Sequence, residues 1–179
     1  MNGFLKTQLV RIATSSIAIW CASLATPSWG VDLSKYFNAI ELQEVTPELQ
    51  SLEFEELAEL CANASPVDAI EACSLAVQMR SCHEPLEESD RTPECVVLLD
   101  NLGAVLEQVG RYEDALTVLR YALQLQPNDA NVWYNLGIVF AKLNRYQQAL
   151  DAFEEAARLN PNDTQAQKQA DLLREILSF

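Results

Sequence analysis

The chain has 179 residues, 49% of them hydrophobic, and a formal charge of −14, a length that allows one domain or one short solenoid. A surface this acidic repels nucleic acid and anionic membranes and favours neutral or basic partners. With one histidine, His83, and no Ser/His/Asp arrangement, phosphate-cradling glycine loop or zinc-protease motif, the sequence reads as non-enzymatic.

Met1 to Gly30 contain no acid, carry Lys6 and Arg11 early, run apolar from about Ile12 to Leu24, and end in Thr26-Pro27-Ser28-Trp29-Gly30. This is the layout of a secretory signal peptide, with Ser28 and Gly30 flanking Trp29 at the cleavage site and cleavage after Ala25 as the alternative. The apolar run, interrupted by Thr14-Ser15-Ser16, is short of the roughly 20 residues a spanning helix needs. Trp20 stands before Cys21 where a lipoprotein signal needs a small residue, so no lipid anchor is expected. Cleavage leaves ten bases against twenty-six acids, a net charge of −16. The expectation is an exported protein without a stable membrane anchor, in a bacterial periplasm; a thylakoid lumen fits the same signal in a photosynthetic host.

Residues 31–46 are apolar at Leu33, Tyr36, Phe37, Ile40 and Leu42, the spacing of a short helix packed on the end of a solenoid. Thr46-Pro47-Glu48 predicts a helix start, with Thr46 as N-cap and Pro47 in the first turn. Phe54, Leu57, Ala58 and Cys61 supply its apolar stripe. Ser65-Pro66-Val67-Asp68 opens a second helix with a capping box, along which Ala69, Cys73 and Ala76 share a face. Ser81 to Thr92 form an acidic insertion containing His83, and Thr92-Pro93-Glu94 restarts the helix.

The next two stretches are one pattern written twice. Gly103 and Gly137, Ala115 and Ala149, Ala122 and Ala156, and Pro127 and Pro161 are each 34 positions apart. Leu99, Leu102 and Leu106, and Trp133, Leu136 and Phe140, recur three or four apart, so each half-repeat opens with an amphipathic helix. Gly110 and Asn144 place the residues most tolerant of a left-handed backbone where that helix ends. A second helix follows from about Glu113 and Gln147. Small residues Gly103 with Ala115, and Gly137 with Ala149, let the paired helices approach closely, while Leu119 and Phe153 fill the space beside them. Pro127 and Pro161 stop the second helix, and the Asn-Asp pairs after them offer the next N-cap. Asp163 to Leu177 continue the phase, but put Gln167, Ala170, Asp171 and Arg174 at the packing positions. A polar outer face there suits a capping helix.

The second copy, Trp133-x-x-Leu136-Gly137-x-x-Phe140 followed by Ala149-x-x-x-Phe153, Ala156 and Pro161, resembles the tetratricopeptide repeat almost position for position. The first substitutes Leu99, Leu106 and Leu119 for the aromatics. The resemblance implies an all-α, right-handed solenoid of helix hairpins. Its repeats span 93–128 and 129–162, a degenerate hairpin with its insertion spans 47–92, and a capping helix spans 163–179.

Four cysteines remain after cleavage, and an even number in an exported chain argues for disulfides with three connectivities. The hairpin arrangement favours Cys61 with Cys73 across the antiparallel pair, leaving Cys82 with Cys95 to tie the insertion at its base. A metal or redox site from Cys73, Cys82, His83 and Cys95 is the competing reading. It lacks a Cys-x-x-Cys pair, and oxidised cysteines do not bind zinc. Met79 stands three before Cys82, so the haem-attachment motif fails, and Glu84, Glu87, Glu88, Asp90 and Glu94 lack the spacing and glycine of a calcium loop. No cofactor is expected.

In tetratricopeptide proteins the first helix of each hairpin lines the concave surface. The resemblance therefore implies a partner-binding groove from Val97, Asp100, Asn101, Ala104, Glu107 and Gln108 of one repeat. Asn131, Tyr134, Asn135, Ile138 and Lys142 come from the next, with Gln165, Lys168 and Gln169 completing the rim. Asparagines there can bond an extended backbone and Tyr134 can anchor a side chain; the bland counterpart is an ordinary solvated helix face. Members that clamp acidic chaperone tails carry lysines and asparagines on these helices. Here Asp100 and Ala104 stand where a lysine and an asparagine are expected, although Asn101 and Asn135 remain. The functional expectation is an exported, non-catalytic protein-interaction module, an adaptor or scaffold for assembly of an envelope complex. A self-associating structural protein is the alternative.

Overall fold

A computed structural model of the chain describes residues 47–80, 82 and 93–178. The expected signal peptide, the extension over 31–46 and the acidic insertion around His83 lie outside them. After a short 3-10 turn at Leu49–Ser51 come seven helices: α1 (Phe54–Asn63), α2 (Pro66–Met79), α3 (Pro93–Gln108), α4 (Tyr112–Leu125), α5 (Ala130–Lys142), α6 (Tyr146–Leu159) and α7 (Thr164–Leu177). No strand occurs among the described residues, and no helix there is long and apolar enough to cross a membrane. Helices α1 and α2, α3 and α4, and α5 and α6 pair as hairpins; α3 also touches α1 and α5, and α7 packs on α6. This is an all-α hairpin solenoid.

The repeat pattern dictates the pairing. Helix α3 buries Leu99, Leu102 and Leu106, and α4 buries Ala115, Leu116 and Leu119. The helices approach so closely that a Cβ on Gly103 would lie 2.5 Å from Leu119 Cδ2, and one on Gly137 2.7 Å from Phe153 Cε1. Helices α3 and α5 each end in a Schellman turn. Gly110 (φ 80°) and Asn144 (φ 58°) take the left-handed position, and the next amide reaches back five residues, Arg111 to Leu106 at 2.8 Å and Arg145 to Phe140 at 2.9 Å. Asp129 Oδ1 then caps α5 by accepting from the Asn131 and Val132 amides, and Asp163 caps α7 through Gln165. Trp133 Nε1 donates to the Pro127 carbonyl at 2.8 Å, and 34 positions later Gln167 Nε2 donates to that of Pro161 at 2.9 Å. A glutamine thus keeps the repeat's polar contact after the indole is gone.

Two expectations are corrected. The first α-helix starts at Phe54, not at Pro47: the chain turns at Leu49–Ser51, runs extended at Leu52 (ψ 149°) and restarts where the Glu56 carboxylate accepts from the Glu53 amide at 3.0 Å. The outer face of α7 is not uniformly polar, because Leu172 is 52% and Ile176 49% exposed. Its other side is polar where a following helix would pack. There Arg174 spans a cleft of about 510 Å³, bonding Glu154 of α6 at 2.7 Å.

The degenerate hairpin is cross-linked. Helix α1 has 10 residues against 13 in α5 and buries Leu57 and Cys61 alone. Cys61 is bonded to Cys73 of α2 (Cα–Cα 4.6 Å), and Cys82 to Cys95 in the first turn of α3 (5.5 Å). All four are buried, and each loop closure is worth about 3 kcal/mol in the chain-entropy account.

Candidate functional site

Helices α3 and α5 lie side by side as the first helices of successive hairpins, and most of the residues singled out in the sequence lie on these two helices. Asp100, Asn101, Ala104 and Glu107 of α3 are half-buried, as are Tyr134, Asn135 and Ile138 of α5 and Gln169 of α7. Val97, Gln108, Asn131, Lys142, Gln165 and Lys168 are exposed. Two pairs bridge the helices: Asn135 Nδ2 donates to Asp100 Oδ1 at 2.8 Å, and Lys142 Nζ lies 3.4 Å from Glu107 Oε1. In the second pair the Lys142 end is exposed, which screens the attraction.

Burial governs the chemistry of Asp100. Its carboxyl loses water between the helices, and this pushes its pKa from 3.8 to about 6. The hydrogen bond from Asn135 pulls the other way, and the like charge of Asp129, at the start of α5, adds to the rise. The side-chain amides of Asn101 and Asn131 hold no hydrogen bond among the described residues, so both offer donors and acceptors to a guest.

Tyr134 is not wholly free for a partner: its ring packs on Phe153 of α6, centroids 5.4 Å apart. Among the described residues, nothing joins the side chains of Gln165, Lys168 or Gln169 to the α3 and α5 face by hydrogen bond or ion pair. The sequence reading missed Leu172 and Ile176, which stand 34 positions after Ile138 and Lys142 and carry that register onto α7. Extending the offset one copy further identifies them.

No group of three or more His, Cys, Asp or Glu side chains among the described residues is placed to hold a metal ion. With Cys73 bonded to Cys61 and Cys82 to Cys95, no thiolate of the metal-site reading is available as a ligand. What remains is a ridged surface of amides, one half-buried carboxylate and apolar side chains, suited to binding.

A tetratricopeptide repeat family profile matches residues 93–177. Among solved structures, a crystal structure of MamA is similar, with a TM-score of 0.59 and 19% identity, covering 87% of this chain and 87% of that one. The Sgt2 tetratricopeptide domain from Aspergillus fumigatus gives 0.57 and 18%, covering 74% and 81%. The second tetratricopeptide domain of human RPAP3, solved with an HSP70 peptide, gives 0.55 and 16%, covering 72% and 98%. At these identities the likeness is one of fold. No curated protein matches the chain significantly.

Proposed function

Residues 93–177 belong to the tetratricopeptide repeat family, and on that premise we propose that the chain is a non-catalytic protein-interaction module holding an extended peptide segment along the α3–α5 face. One observation supports the reading: two first helices lie side by side, pinned by Asn135 and Asp100, and the same helices carry the unbonded amides of Asn101 and Asn131 and the half-buried Ile138. The peptide in the human RPAP3 complex, SGPTIEEVD, ends in acidic residues. Asp100 disfavours such a tail here, so the module takes a different ligand. From the character of residues 1–30 we further propose that it works after export, in a periplasm or comparable lumen, as an adaptor or scaffold in assembly of an envelope complex.

The test is co-purification from native extract with the oxidised protein, beside an Asn131→Ala, Ile138→Ala variant of unchanged helicity and melting temperature. A near-stoichiometric protein retained by the wild type and lost by the variant supports the groove. A partner held equally by both removes it.

Self-association is a second reading, favoured by the exposed Leu172, Ile176 and Leu177 on the last helix. It requires a mass by light scattering that rises with concentration and falls back in a Leu172→Gln, Ile176→Gln variant. A strict monomer at high concentration eliminates it.

A further inference from the structure

Given the α3–α5 face as the binding surface, the chemistry of its occupant is decided by Asp100. This carboxylate is partly withdrawn from water between two helices, and the one group bonded to it among the described residues is the neutral amide of Asn135. A carboxylate has lone pairs for about four hydrogen bonds and can only accept when ionised. A single neutral donor leaves most of that capacity and all of the charge uncompensated. The charge that acts on it, Asp129, has the same sign. Among the described residues no cation on the face is placed to help: Lys142 is engaged by Glu107 at 3.4 Å, and Lys168 lies on α7. One turn beyond Asp100 and Asn135 stand Ala104 and Ile138, both half-buried, which offer an apolar rest for an aliphatic stem.

We propose that the segment bound on this face presents a lysine or arginine side chain to Asp100, its stem lying against Ala104 and Ile138. The guest supplies the countercharge that the fold withholds, while Asn135 holds the carboxylate in place. The assignment agrees with the charge of −14 over the chain, which steers basic segments toward it and acidic ones away.

The test uses the full oxidised protein and three pools of fluorescein-labelled nonapeptides, randomised at uncharged flanking positions and carrying lysine, norleucine or glutamate at the centre. Anisotropy at pH 7.5 and moderate salt should show the lysine pool binding at least about tenfold tighter than the norleucine pool, with the glutamate pool weakest. In Asp100→Asn the lysine and norleucine pools should converge. In Asp129→Asn, which relieves a like charge without removing the acceptor, the lysine preference should persist. In the wild type the preference should shrink as pH falls below 6. Equal binding of the lysine and norleucine pools, or a lysine preference untouched by Asp100→Asn, overturns the cation assignment. If that binding is still lost in the Asn131→Ala, Ile138→Ala variant, the groove itself stands. Failure of every pool to bind overturns both.

Discussion

Asn135 reaches across 35 positions of sequence to donate a 2.8 Å hydrogen bond to Asp100, and this contact joins the first helices of two successive repeats at their shared face. It also holds a carboxylate where water is scarce, which makes the stability of the fold depend on pH.

The direction follows from linkage. The folded state holds the Asp100 proton up to about pH 6, whereas the unfolded chain releases it near 3.8, so the folded state binds more protons in between. Stability from this residue is therefore full below about pH 4 and is lost as pH rises through 6. About two units at about 1.4 kcal/mol each make the loss about 3 kcal/mol. Asp100→Asn keeps an acceptor for Asn135 without the charge. It should be more stable than the wild type by that order at pH 7.5 in urea denaturation, the difference closing toward pH 4. A variant less stable at pH 7.5 would contradict the assignment.

Gly137 lets α5 come close against the Phe153 ring of α6 in the second repeat. Gly137→Ala gains about 1 kcal/mol of helix propensity, yet its Cβ would fall 2.7 Å from a ring that is 2% exposed. Overpacking of this kind costs about 1–3 kcal/mol. The net effect should be destabilising, and Phe153→Leu in the same background should cost less than it does alone. Simple additivity in a double-mutant cycle would refute the contact as the cause.

At the turns the cost is in the backbone. A Cβ on Gly110 meets nothing within 4 Å, but the residue sits at φ 80°. Gly110→Ala should lower stability by about 1 kcal/mol, and Gly110→Asn by less, since asparagine adopts this conformation at Asn144 in the next copy. Thermal melts of the two variants check the order.

The Cys61–Cys73 bond closes the hairpin with the shortest first helix. Cys61→Ala, Cys73→Ala should cost about 3 kcal/mol, confined to residues 54–79. Hydrogen exchange should show α1 and α2 losing protection while α4 to α6 keep theirs. A uniform loss over all the helices would show instead that the solenoid unfolds as one unit.

Much of this architecture was legible in the sequence because it is local and repeated. A period of 34, glycines opposite Leu119 and Phe153, left-handed residues at 110 and 144, and aspartates before α5 and α7 each act within one hairpin. Their geometry needs no knowledge of the rest. Where the rule weakened, so did the reading. Pro47 resembles a helix start, but Glu53 and Glu56 provide a better cap six residues on. The packing positions of α7 drew attention to its polar side and away from Leu172 and Ile176.

Alone, then, the sequence determined the hairpins and their order, since helix periodicity and turn chemistry depend on residues a few positions apart. Only the tertiary structure decided what the α3–α5 face does with its charges. The stagger of neighbouring helices sets Asn135 against Asp100, one residue off the repeat period, and the packing of α6 turns Phe153 toward Tyr134. The burial that raises the Asp100 pKa comes from segments far apart in sequence. Desolvation is a property of the assembled surroundings, and no pattern along the chain encodes it.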